Sequence, residues 1–276
     1  MPEIIQIIIS VLMGIVEGIT EWLPISSTGH LILVSEFIGQ GEDSFFTQGI
    51  FEYVIQLGAI LAIVTLYFRR LNPFALSKSP EEKRATWQMW FKVVVACLPA
   101  AVIGLLFNDY MDMIDNAWVV SSMLILYGIG FILVERRKAQ PKVTDINGLT
   151  YKTAMLIGAF QVLSIIPGTS RSGATILGAI ILGLSREVAA EFSFFLAVPV
   201  MVGVSGLKIV TNDYAMTSAE WILLGIAMVV AYVVSLISVK FLTGYVKKHD
   251  FKVFGWYRIV LGIIVLGYFT AELLIK

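Results

Sequence analysis

Between positions 17 and 30 the chain reads Glu17-Gly18-Ile19-Thr20-Glu21-Trp22-Leu23-Pro24-Ile25-Ser26-Ser27-Thr28-Gly29-His30. Glu17 and Glu21 are four residues apart, so on a helix they share one face and act on the same object. Two tasks suit such a pair: ligation of a divalent metal, or activation of a water as general base. A polar face covered by a loop is the structural alternative. Pro24 followed by Ser26, Ser27, Thr28 and Gly29 reads as a helix start. Its hydroxyls either cap backbone N–H groups or, with those N–H groups, form an anion site at the positive helix end. His30 follows closely enough to serve as general base, general acid or nucleophile.

A second polar stretch, Pro167-Gly168-Thr169-Ser170-Arg171-Ser172-Gly173, carries one cation among hydroxyls. The planar fork of Arg171 suits phosphate, and Thr169, Ser170 and Ser172 are candidate phosphate donors beside it. Pairing of Arg171 with Glu17 or Glu21 is the structural reading, and the two roles are compatible. An arginine, hydroxyl-rich turns, two carboxylates and a histidine form a phosphoryl-transfer inventory, in which charge stabilisation and positioning do most of the catalysis.

These groups sit in a chain built for lipid. Of 276 residues 58% are hydrophobic and 14% charged, and mean hydropathy is +0.85. This is the composition of an all-α polytopic membrane protein, in which each ionised side chain near the bilayer centre costs roughly 2.5 to 3.5 kcal/mol. Zero formal net charge gives no field for nucleic acid. Cys97 stands alone, which excludes an intramolecular disulfide and a cysteine metal site. Met1-Pro2-Glu3 lacks a basic leader, so the first apolar run is expected to belong to the fold.

Apolar runs fall at about 4–16, 31–39, 50–68, 89–107, 117–134, 153–166, 174–184, 192–210, 219–242 and 254–275. A spanning helix needs about 17 to 25 residues, so six runs qualify and four, in two adjacent pairs, are short. Lys and Arg gather at 69–92, 136–152 and 247–252. The links 40–48, 108–116 and 211–218 carry only acids: Glu42, Asp43, Asp109, Asp112, Asp115 and Asp213. The basic links are expected in the cytoplasm and the acidic ones outside. The short pair 153–166 and 174–184 must then start and finish on the cytoplasmic side, as a re-entrant hairpin with its tip at 167–173. The pair 4–22 and 28–39 similarly forms a hairpin with its tip at 24–29, a full span over 4–22 being the competing reading.

Setting Gly29 on Gly173 places Ser26 on Ser170, Ser27 on Arg171, Thr28 on Ser172 and Glu17 on Gln161, while Glu52 to Leu57 matches Glu191 to Leu196. Weak internal similarity with opposite orientation is the signature of an inverted-topology repeat, whose broken helices meet at one site. The expected architecture is one integral membrane domain over 1–276, with about six transmembrane helices, two re-entrant hairpins and repeat halves of about 1–135 and 136–276. Other features are discounted. Gly173, Gly178 and Gly183 lack a Lys in Walker spacing and suit close helix packing. Arg186 and Glu187 read as an interfacial helix end, the three aspartates of 108–116 as a solvated loop, and His249 as solvated.

The stretch from Glu17 to His30, together with Pro167-Gly168-Thr169-Ser170-Arg171-Ser172-Gly173-Ala174-Thr175, resembles the two signature motifs of the bacterial undecaprenyl-diphosphate phosphatase family, the bacitracin-resistance type. The likeness covers the whole chain, and both motifs are intact. It implies hydrolysis of the terminal phosphate of undecaprenyl diphosphate in the bacterial inner (plasma) membrane, from a site facing the periplasm. A divalent cation, Mg2+ or Ca2+, would assist, held by Glu17 and Glu21. By position, Glu17 and Glu21 match the family's acidic pair, Ser27 and His30 its nucleophile or base, and Arg171 its phosphate-binding arginine. The expected partners are a polyprenyl diphosphate lipid and the bilayer, with a homodimer left open and no nucleic acid. Two routes fit: Ser27 deprotonated by His30, which is preferred, or a water activated by the acids. The rival classes are a transporter or flippase of a phosphorylated lipid and a phospholipid receptor without turnover.

Overall fold

The computed structural model describes residues 3–39, 44–114, 116–211 and 214–275. Helix α1 (Glu3–Thr20) is followed by α2 (Ser27–Phe37) and a short turn at Phe45–Thr47. Then come α3 (Gly49–Leu66), the single turn α4 (Phe68–Leu71), α5 (Pro80–Ile114) and α6 (Ala117–Arg136). Helix α7 (Tyr151–Val162) tightens into a turn at Leu163–Ile165, and α8 (Arg171–Ile181), α9 (Arg186–Thr211), α10 (Ser218–Val246) and α11 (Lys252–Ile275) complete the order. The boundaries follow local chemistry. Asn116 accepts the Val119 N–H ahead of α6, Thr150 accepts the Thr153 N–H ahead of α7, and Thr217 with Glu220 forms a capping box on α10.

Among the described residues seven helices are long and apolar enough to cross a membrane, against six expected. The addition is α1, whose run from Glu3 to Thr20 agrees with the segment 4–22 and is long enough for the full span kept as the competing reading. Ile4, Ile8, Leu105, Val210 and Val229 point outward, as lipid-facing residues do. The link expected at 108–116 is instead mostly the final turns of α5, which include Asp109 and Asp112. Glu42, Asp43, Asp115 and Asp213 lie outside the described residues.

Packing interlocks the two hairpins with distant helices: α1 lies along α10, and α7 along α5. Small residues permit the approach. A Cβ on Gly14 would lie 2.5 Å from the Ala227 carbonyl oxygen, and one on Gly158 only 2.2 Å from that of Ala96. The segments with basic links collect at one end of the bundle. There Lys92 donates to the Asn147 carbonyl at 3.1 Å, Arg70 meets Glu191, and Glu135 takes Arg186 at 2.5 Å and the Phe251 N–H at 3.2 Å. Arg186 is thus a brace between α6 and α9, not a bare helix end. At the other end Tyr214 stacks on Phe45, and Tyr268 donates to Glu36.

The two short helices that follow the tips are alike. α2 and α8 are both 11 residues long, and they begin at Ser27 and Arg171, the positions set opposite one another in the sequence comparison. Each is capped by a serine with positive φ, Ser26 at 76° and Ser170 at 72°, whose hydroxyl accepts the N–H of the glycine three residues on. Such a conformation costs a non-glycine residue about 1–3 kcal/mol, so the surroundings must enforce it.

Candidate active site

Helix α1 delivers its two acids to the middle of the molecule. Glu17 has no exposed surface and Glu21, in the turn that ends the helix, is 7% exposed. Ser27 begins α2 and donates its hydroxyl to Glu21 Oε2 at 2.8 Å. Across the gap, Arg171 begins α8 and donates from Nη2 to Glu21 Oε1 at 2.8 Å and from Nη1 to the Ser193 carbonyl at 2.9 Å. Its guanidinium lies 5.8 Å from the Trp22 ring centroid. Ser172 reinforces the junction by donating to the Glu21 carbonyl at 3.1 Å, and its Oγ lies 3.1 Å from that of Ser170. The two tips therefore meet, and one carboxylate is shared between a hydroxyl from one and a guanidinium from the other.

Around this core lie buried polar atoms with no protein partner: both carboxylate oxygens of Glu17, Nε of Arg171, Nε1 of Trp22 and Oγ1 of Thr169. Native interiors leave few such groups, and they mark places where a ligand completes the set. The arrangement offers donors for an oxyanion next to a carboxylate able to take a proton. A third acid also arrives, from α3: Glu52 accepts the Thr28 hydroxyl at 3.1 Å. In the sequence Glu52 stands out only through its match to Glu191 in the repeat.

His30 is not where the local spacing put it. Its Nδ1 lies 2.6 Å from the Ser26 carbonyl oxygen, which can only accept, so Nδ1 carries the proton. In the neutral ring Nε2 then accepts from the Tyr257 hydroxyl at 2.6 Å, with the two rings parallel to within 5°. Both nitrogens are committed, and the proton of Ser27 points to Glu21 instead. The expected Ser27–His30 pair is replaced by a Ser27–Glu21 pair, with His30 bracing the strained Ser26. Residues not singled out from sequence therefore shape the site: Glu52, Trp22, Ser193, Tyr257 and Arg258. Arg258 had a readable signal, a lone arginine inside the apolar run 254–275.

The family model described as bacitracin resistance protein BacA matches residues 10–264. Proteins named undecaprenyl-diphosphatase are similar over nearly their whole length. That of Latilactobacillus sakei is 57% identical over 270 residues, covering 95% of this chain and 98% of its own. That of Enterococcus faecalis is 58% identical over 265 residues, covering 94% and 96%. That of Desulfitobacterium hafniense is 54% identical over 276 residues, covering 99% of each chain. With a buried acidic pair, a serine and an arginine drawn together by two broken helices, and matches of this extent, the chain belongs to the bacitracin resistance protein BacA family.

Proposed function

We infer that the protein is an undecaprenyl-diphosphatase, an integral membrane hydrolase that removes the terminal phosphate of undecaprenyl diphosphate and leaves the lipid monophosphate for another round of cell-wall synthesis. One observation carries the chemistry: Glu21 accepts from Ser27 on one oxygen and from Arg171 on the other. That is a nucleophile with its base, and the base is held by the cation that faces the phosphate. A transporter or receptor needs to coordinate the phosphate but does not need a paired nucleophile and base.

In the mechanism we favour, Ser27 Oγ attacks the terminal phosphorus as its proton passes to Glu21. The bond from that phosphorus to the bridging oxygen breaks, and the lipid monophosphate leaves. A protonated Glu21 attracts Arg171 less, freeing the guanidinium, whose Nε–H has no protein acceptor, for the oxygens of the transferring group. Water then attacks the phosphoserine: the bond from phosphorus to Ser27 Oγ breaks, Oγ takes back its proton from Glu21, the proton of the water passes to a carboxylate of the same cluster, and phosphate departs. Ser26 and Ser170 hold the two helix starts, while Thr28, Thr169 and Ser172 line the phosphate position.

A divalent cation fits the acids. Glu17 has two buried oxygens without a donor, which is costly unless a proton or a cation is present. Among the described residues no three His, Cys, Asp or Glu are grouped to hold a metal alone. This suits Mg2+ or Ca2+ held by Glu17 with oxygens of the substrate, Glu21 being taken by Ser27 and Arg171, since Mg2+ in particular commonly takes one or two carboxylates plus phosphates. When bound, the ion neutralises phosphate charge. We place the access route at the external face of the plasma membrane, on the side of the acidic links, with the prenyl chain remaining in lipid.

The test is phosphate release from undecaprenyl diphosphate by the purified protein in lipid nanodiscs. Release that is abolished in Arg171→Ala supports this reading. Binding without release, or release unchanged in Arg171→Ala, contradicts it.

A further inference from the structure

Arg258 has no exposed surface, although it lies in an otherwise apolar part of α11. Its Nη2 donates to the carbonyls of Gly168 and Thr169, both at 2.9 Å, and to that of Met123 at 3.4 Å. Nη1 donates to the Pro24 carbonyl at 3.2 Å, and Nε to that of Leu124 at 3.5 Å. Tyr127 lies beneath the guanidinium, 5.5 Å from ring centroid to Cζ. Among the described residues no carboxylate pairs with it.

A guanidinium at membrane depth without a counter-ion is expensive. What offsets the cost here is the backbone it satisfies. Pro24, Gly168 and Thr169 sit in the irregular tips, whose carbonyls have no helical partners and no water in a lipid interior. One side chain therefore bonds the first tip, the second tip and α6 at once. Only an arginine fork reaches so many acceptors in so many directions; a lysine keeps the charge but not the span. The preceding residue, Tyr257, supports the first tip by another route, through His30 to the Ser26 carbonyl.

We propose that Arg258 is a positioning residue of the reaction, fixing the register of the two tips so that Glu21 meets both Ser27 and Arg171. This rests on the phosphatase reading for its kinetic consequence but not for its geometry. Arg258 bonds no member of the reacting set directly. It bonds the carbonyl two residues before Ser26 and those one and two residues before Ser170, the caps on which Ser27 and Arg171 stand.

The experiment compares Arg258→Lys and Arg258→Gln with the parent protein in nanodiscs, reading steady-state phosphate release, thermal unfolding and backbone hydrogen exchange at the tips. A misalignment on the order of 1 Å costs about a hundredfold in rate, so kcat should fall by about that factor in both variants while KM moves less than about twofold. Exchange should quicken at 24–30 and 167–173 together, in Arg258→Lys as in Arg258→Gln. Tip exchange at the parent rate overturns the proposal whatever the activity. So does a folded variant with kcat within about twofold of the parent, or one in which KM rises in place of a fall in kcat, which would make Arg258 a phosphate ligand. If neither variant folds, Tyr127→Leu, which removes only the ring beneath the guanidinium, decides by the same exchange measurement. A parent protein that releases no phosphate would strike the proposed function instead, leaving the exchange result to judge Arg258.

Discussion

Glu21 and Arg171 are 150 residues apart in the chain and 2.8 Å apart in space, with side chains 9% and 11% exposed. Removing one partner of a buried pair strands the other, at a cost of about 3–5 kcal/mol. Arg171→Met should therefore lower the thermal unfolding temperature in detergent, and Glu21→Gln together with Arg171→Met should lower it by less than the sum of the single changes. Strictly additive effects would mean that the pair is not formed.

His30 is read as a brace and not as the base for Ser27. A general base contributes typically 10²- to 10⁴-fold, whereas loss of a brace that Arg258 partly duplicates should cost about tenfold or less. His30→Gln and Tyr257→Phe should both stay within that smaller range of kcat. A fall in His30→Gln as deep as that in Ser27→Ala would return the histidine to the proton-transfer step.

Chelation should abolish phosphate release, and Mg2+ should restore it. In Glu17→Gln the concentration needed for half-restoration should rise by about tenfold or more, as losses around metal ligands typically do. Restoration at the parent concentration would remove Glu17 from the cation site.

Helix α7 carries the second tip, and its approach to α5 depends on Gly158. A Cβ there would sit 2.2 Å from a backbone oxygen, whereas one on Gly267 of α11 would meet nothing within 4 Å. Overpacking costs typically about 1–3 kcal/mol, so Gly158→Val should unfold at a clearly lower temperature and Gly267→Ala close to the parent. Equal behaviour of the two would contradict the α5–α7 packing.

The broad architecture was legible because run length and charge asymmetry respond to the bilayer itself. Arg171, the only cation in a hairpin tip, announced the meeting of the tips, since a charge there must find acids or phosphate. The partners of individual side chains were not legible. His30 lies three residues after Ser27, and proximity in sequence suggested a pair, yet its ring turns to Tyr257, 227 residues away. Side-chain partners are decided by packing, to which sequence neighbours are a poor guide. The extent of α1 was legible, because Glu17 and Glu21 at helical spacing carry the segment past its apolar run, and the polar centre of the protein, not lipid, receives its end. Arg258 was readable in principle, but the five carbonyls it gathers belong to three separate segments that only the fold brings together.

The central claim is that Ser27, activated by Glu21 and faced by Arg171, takes the terminal phosphate. Rapid quenching of a single turnover, followed by mass spectrometry of the peptide spanning the first tip, tests it most directly. The account expects a phosphate on Ser27 that appears before inorganic phosphate is released, and turnover lowered by about a thousandfold or more in Ser27→Ala. Full turnover in Ser27→Ala, with label from oxygen-18 water entering the phosphate in the first chemical step, would contradict it.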